Sequence, residues 1–178
     1  MRHSVIYLLV VFILFPFHAR GQFVQKSTDV LCLVPSATAL VLTLVKKDEK
    51  GLQQFALSTL TSVALSYGLE ACVRKQRPDG DGMHSMPSTH TTIAFSGASF
   101  LQRRYGWKWG APAYALATYV AWGRVHSKRH DVWDVLAGTA IGVGGTYIFT
   151  RPFMKGADVT ISPAVIDDAK CISVAINF

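Results

Sequence analysis

Chemistry in this chain concentrates in Gly123-Arg124-Val125-His126-Ser127-Lys128-Arg129-His130-Asp131-Val132-Trp133-Asp134. Arg124 is followed six positions on by His130, and His130 four positions on by Asp134. On a helix, His130 and Asp134 would share a face, one turn apart. A carboxylate beside an imidazole fixes its tautomer and stabilises its cation. A guanidinium such as Arg124 can fork two hydrogen bonds onto phosphate oxygens. A poised histidine beside a phosphate clamp points to phosphoryl transfer through a phosphohistidine. Two other readings stand beside this one. His130 can be a solvated histidine in a basic loop, next to Lys128 and Arg129. His126, His130 and Asp134 can also be a metal site, since they recur at four-residue intervals, although Arg124, Lys128 and Arg129 disfavour a cation there.

Upstream lie Arg77-Pro78 and Pro87-Ser88-Thr89-His90. With these pieces in order, residues from about 50 to 150 resemble the type-2 phosphatidic acid phosphatase (PAP2) superfamily. That family includes lipid phosphate phosphatases, bacterial class A acid phosphatases and vanadium haloperoxidases. Its motifs are Lys-x6-Arg-Pro, Pro-Ser-Gly-His and Ser-Arg-x5-His-x3-Asp. This chain departs at Glu70 in place of the lysine, Thr89 in place of the glycine and Gly123 in place of the serine.

The resemblance implies metal-independent hydrolysis of a phosphomonoester or diphosphate, with no cofactor. His130 would be the nucleophile, Asp134 would orient it, and His90 would be the general acid. Arg77, Arg124, Ser88 and the Thr89 amide would hold the phosphate. Each has a plainer reading: His90 as the start of a helix that Ser88 caps, Arg77 as a snorkelling interface arginine, Asp134 as a helix-face carboxylate. Glu70 would repel a phosphate dianion. If the helix runs on through this region, Glu70, Arg74 and Arg77 share a face, and Arg74 can supply the missing cation. Lys75 would then be turned away. The run Asp79-Gly80-Asp81-Gly82, with His84, reads as a loop between motifs.

These residues need elements to position them. Apolar stretches lie at about 30–45, 52–73, 91–102, 111–122 and 132–149, and small residues such as Gly138, Gly142 and Gly145 suit close helix packing. The expectation is an all-α bundle of five to six helices, embedded in a membrane, with the site at one end. Clusters at Lys46, Lys47 and Lys50, at Arg103, Arg104 and Lys108, and at Arg151 and Lys155 all fall on one side of such a bundle, as the positive-inside rule asks. The motif residues fall on the other. Residues 151–178 partly alternate and favour β-branched side chains, a short β-like tail or small hairpin.

The chain has 178 residues, 16% charged and 50% hydrophobic, with a formal net charge of +7. One helical domain at 22–150 is expected, preceded at 1–21 by a signal peptide or uncleaved first helix. Cys32, Cys72 and Cys171 have no metal-like spacing, and the first two read as small core residues. Nucleic acid is excluded as a partner by the lack of any matching signature. The expected partners are the membrane and a phosphorylated lipid or small phosphate, with no protein partner. The expected place is a bacterial inner membrane with the site on its periplasmic face, or else the periplasm as a soluble protein. Two alternatives remain: a vanadium-dependent haloperoxidase with vanadate on His130, and a non-catalytic membrane scaffold if Glu70 and Thr89 disable the site.

Overall fold

A computed structural model of the chain describes residues 21–153 and the backbone of 158–166 and 169–177. The leader expected at 1–21 falls almost wholly outside the described residues. Six helices follow one another: α1 (Gly21–Leu31), α2 (Val34–Val45), α3 (Glu49–Cys72), α4 (Thr89–Tyr105), α5 (Trp107–His126) and α6 (Val132–Phe149). A hairpin of β1 (Asp158–Ile166) and β2 (Ala169–Asn177) closes the chain, with Asp158 opposite Asn177 and Ile166 opposite Ala169.

Helix α4 is central and packs against α2, α3, α5 and α6. Its buried residues are mostly small, Ala94, Ser96, Gly97, Ala98 and Ser99, with Phe100 and Leu101 near its far end. Phe100 meets Phe55 of α3 edge to face, ring centroids 5.0 Å apart. On α3, Ser58, Ser62 and Ser66 recur every four residues and are buried, while Leu57, Leu60 and Leu65 are exposed. Small polar residues inside and leucines outside is the arrangement of helices packed in lipid. Exposed Val41, Leu44, Val45, Leu136 and Ile148 extend the apolar belt, which is more than a soluble monomer leaves open to water. Among the described residues, two segments, Gln22–Val45 and Val132–Phe149, are long and apolar enough by length and composition to cross a membrane.

Successive helices α3 to α6 run in alternating directions, so their ends gather at two poles. At one pole Asp48 caps α3, accepting from Gly51 N at 2.9 Å. Its carboxylate also binds Arg104 at 2.5 Å and Tyr105 Oη at 2.9 Å. Arg104 donates in turn to the carbonyls of Arg151 and Pro152. At the other pole lie Arg77, His90, Arg124 and His130.

The apolar stretch 30–45 falls mostly in α2, which starts after a break at 32–33 with Pro35 in its first turn, a place proline favours. Two expectations are corrected. Cys32 is buried as expected, but Cys72 is exposed. Helix α3 ends at Cys72 with Val73 already extended, so Glu70, Arg74 and Arg77 do not share a helix face. The chain past Val73 is held by backbone bonds, Lys75 bridging to His84 and Ser85 N donating to Lys75 O. Extended backbone sends alternate side chains to opposite sides, which leaves Arg74 exposed and turns Lys75 and Arg77 inward.

Candidate active site

Helix α5 ends in a tight return. Ser127 N donates to Gly123 O, and both Arg129 N and His130 N donate to Arg124 O. This coil holds Arg124 and His130 on the same side of the α5–α6 connection. Helix α6 then starts with a capping box: Asp134 N donates to Asp131 Oδ1 and Asp131 N to Asp134 Oδ2, each at 3.0 Å. His130 therefore stands before the helix, not on it. Its contact with Asp134 arises from the cap rather than from helical spacing.

His130 is 5% exposed and Asp134 is fully buried. His130 Nδ1 lies 2.7 Å from Ser85 O and 3.8 Å from Asp134 Oδ2. A carbonyl only accepts, so Nδ1 carries the proton and Nε2 keeps its lone pair. The expected direct orientation of His130 by Asp134 becomes a relay. Asp134 Oδ2 accepts from Ser85 Oγ at 2.5 Å, and Ser85 presents its carbonyl to His130. Asp134 Oδ1 accepts from Lys75 Nζ at 2.7 Å, which also reaches Asp131 at 2.5 Å. Burial lowers the Lys75 pKa, but the hydrogen bonds and charges of Asp131 and Asp134 hold it above the ordinary lysine value. Burial pushes His130 down to about 4; Ser85 O and Asp134 pull it up, while Arg124 and Arg77 push it down. The imidazole is therefore neutral at ordinary pH, as a nucleophile must be.

Arg124 is 4% exposed. It donates to Asp29 Oδ1 of α1 at 2.5 Å and lies 3.1 Å from His90 Nδ1. Since a guanidinium only donates, His90 Nδ1 accepts and its proton sits on Nε2, 3.3 Å from Asp29 Oδ1. Gly123, where the family has serine, faces α1: a Cβ there would meet Thr28 Cγ2 at 2.5 Å. Thr28 thus takes the space of the missing side chain.

A cavity of about 520 Å³ opens between these groups. His130, His90, Arg77, Arg124 and Thr89 line it, together with Asp29, Glu70 and Arg129. Leu33, Tyr67 and Ile93 add an apolar wall. Arg74 and Ser88, expected at the phosphate, do not line it. Ser88 is fully buried; its N donates to Asp134 O and its Oγ accepts from Thr91. Arg74 is exposed for the reason given above. Thr89 Oγ1 donates to Glu70 Oε2 at 3.0 Å, so two of the departures from the family motifs are bonded to each other. The contacts of Asp29, Ser85 and Lys75 in the site were missed from sequence. None stands at a motif position, and only folding brings α1 and the 73–88 segment to His130.

The PAP2 superfamily profile matches residues 48–156, more than half the chain. The chain belongs to the PAP2 superfamily. It is 32% identical over 166 residues to a lipid A 4'-phosphatase of Helicobacter pylori, covering 87% of this chain and 83% of that protein. A lipid A 1-phosphatase of Porphyromonas gingivalis is 29% identical over 71% of this chain and 31% of its own length. The crystal structure of Aquifex aeolicus LpxE superposes with a TM-score of 0.60, at 21% identity over 73% of this chain and 87% of that one. This PAP2 protein is a phosphatase, and its apolar outer faces make it a membrane protein.

Proposed function

We propose that this PAP2 phosphatase removes a phosphate from a phosphorylated lipid of the lipid A type, at the outer face of a membrane, through a phosphohistidine. The observation that carries this reading is His130 with Nδ1 anchored on Ser85 O and its free Nε2 at a cavity lined by arginines. The relatives named above act on lipid A phosphates, and the apolar wall of Leu33, Tyr67 and Ile93 beside charged groups suits an amphiphile.

In the first step His130 Nε2 attacks phosphorus in line and the bond to the leaving oxygen breaks. Guanidinium groups of Arg77 and Arg124 stabilise the charge on the equatorial oxygens. His90 is neutral in the empty site, where burial and Arg124 hold its pKa down to about 4. Protonated on both ring nitrogens once the phosphate dianion is bound, it gives its Nε2 proton to the leaving oxygen and is left neutral. It then takes a proton from water, which attacks the phosphohistidine and frees His130 and orthophosphate. The positive charge this needs comes from arginines, so the chemistry is metal-independent.

The test is phosphate release from purified chain in detergent, on a panel of lipid and soluble phosphates, with chelator or vanadate. Release from a lipid A phosphate should survive chelator. Vanadate should inhibit competitively, since it takes the five-coordinate geometry of the transferred phosphoryl group. Activity lost in chelator and restored by a divalent metal would remove the scheme.

A further inference from the structure

The first motif of this chain lacks its lysine, and the structure shows what stands in the gap. Glu70 holds the lysine's position and turns its carboxylate to Thr89. Glu70 and Asp29 both line the cavity, so two carboxylates face Arg77 and Arg124 where a phosphate would lie, whereas Asp79 and Asp81 stand outside the lining. A third guanidinium lines the same cavity, that of Arg129. It lies outside the family's motif positions.

We infer that Arg129 is a phosphate-binding residue of this site, supplying the cation that Glu70 has displaced, and that Asp79 and Asp81 hold it in place. The inference rests on the proposed phosphatase reading of the cavity. Arg129 Nη1 donates to Asp79 Oδ2 at 3.1 Å and Asp81 Oδ2 at 2.9 Å. These acids belong to a built turn. Asp81 N donates to Asp79 Oδ1 at 2.9 Å, Gly80 N to Arg77 O, and Arg77 N to Gly82 O. Gly80 and Gly82 have φ of 80° and 98°, which glycine alone adopts freely. One turn thus ties Arg77 and Arg129 together.

A second observation points to an anion. The Nε atoms of Arg77, Arg124 and Arg129 are all buried without a hydrogen-bond partner among the described residues. A buried donor left unpaired is costly. Three such donors on three arginines around one cavity is the pattern of a site that pairs with an oxyanion. Phosphate drawn between the three guanidinium groups supplies the acceptors they lack.

The test measures orthophosphate affinity of the full chain in detergent by calorimetry, without turnover, and kcat and KM on a hydrolysed substrate alongside. Arg129→Ala should weaken orthophosphate about 10- to 100-fold, the worth of a charge-assisted bond, with a matching rise in KM. Arg129→Lys, which keeps the charge and the fold but not the fork, should fall between. Glu70→Lys placed on Arg129→Ala should recover most of the loss, because it returns the cation to its family position. Orthophosphate affinity unchanged in Arg129→Ala and Arg129→Lys overturns the inference. So does a loss found in Arg74→Ala instead, or no recovery from Glu70→Lys. A chain that binds orthophosphate through Arg129 yet hydrolyses nothing would sink the proposed reaction and leave Arg129 where it is placed here.

Discussion

Asp134 acts on His130 at one remove. Its carboxylate is saturated by Ser85 Oγ, Lys75 Nζ and the Asp131 amide, and what it fixes is the loop whose Ser85 carbonyl holds the imidazole. The spacing of Arg124, His130 and Asp134 was readable as a site because each motif residue is near the others in sequence. The relay was not readable, since Ser85 and Lys75 stand 45 or more residues away from His130 along the chain and carry no pattern of their own. The pKa of His130 has a consequence for rate. Burial lowers it to about 4, so the ring is uncharged above that pH and loses its nucleophilic lone pair as pH falls through it. The acid limb of kcat/KM, which reports the free enzyme, should therefore contain a fall near pH 4 that is the same for every substrate. Any second limb near the phosphate's own second pKa, about 6, should move with the substrate. Profiles on two phosphates of different second pKa check this. A single substrate-independent limb at about 6.5, the ordinary histidine value, would show that His130 is not held neutral by burial.

At the scale of elements, four helix ends make the site, and the glycines of α6 set how closely two of those helices approach. A Cβ on Gly138 would lie 2.5 Å from Ser88 O and 3.2 Å from Thr92 Oγ1; one on Gly142 would lie 2.5 Å from Thr92 O. The α6 backbone is pressed onto the start of α4, where Ser88 N donates to Asp134 O at 3.0 Å. Gly138→Ala must push α6 away from His90, at a cost of about 1–3 kcal/mol for overpacking. Thermal unfolding in detergent should show a lowered Tm, and turnover should fall with it. Gly144→Ala is the control: nothing lies within 4 Å of its Cβ, and alanine favours the helix by about 1 kcal/mol, so its Tm should match or exceed wild type. Equal Tm for both variants would refute the close packing. Five of the six helices were legible as apolar stretches, because apolar runs mark what faces lipid or core. Their ends were not. Polar ends of α4 and α5 are helical because Arg103, Arg104 and Arg124 find partners there, and α3 stops early because the segment after it pairs with 82–85.

The whole molecule is polarised. The motif residues sit at the end of α3, the start of α4, the end of α5 and the start of α6; Lys46, Lys47, Lys50, Arg104, Lys108 and Arg151 sit at the opposite pole. Helix α6 has 18 residues, about 27 Å, close to the ~30 Å of a hydrocarbon core, so the poles lie near opposite faces of the bilayer. Lysine and arginine favour the cytoplasmic face, and this charge asymmetry is what supports the outward-facing cavity of the proposed function. Cysteine labelling tests the orientation. Met83, 48% exposed in the loop between the first two motifs, and exposed Lys50 at the other pole mark the two faces. In spheroplasts, a membrane-impermeant maleimide should label Met83→Cys above the background of the native cysteines, and Lys50→Cys only after lysis. The reverse pattern would put the site inside the cell. It would leave the helical bundle intact but remove the outward-facing lipid phosphate as its substrate, because a lipid headgroup reaches only a site on its own leaflet's face.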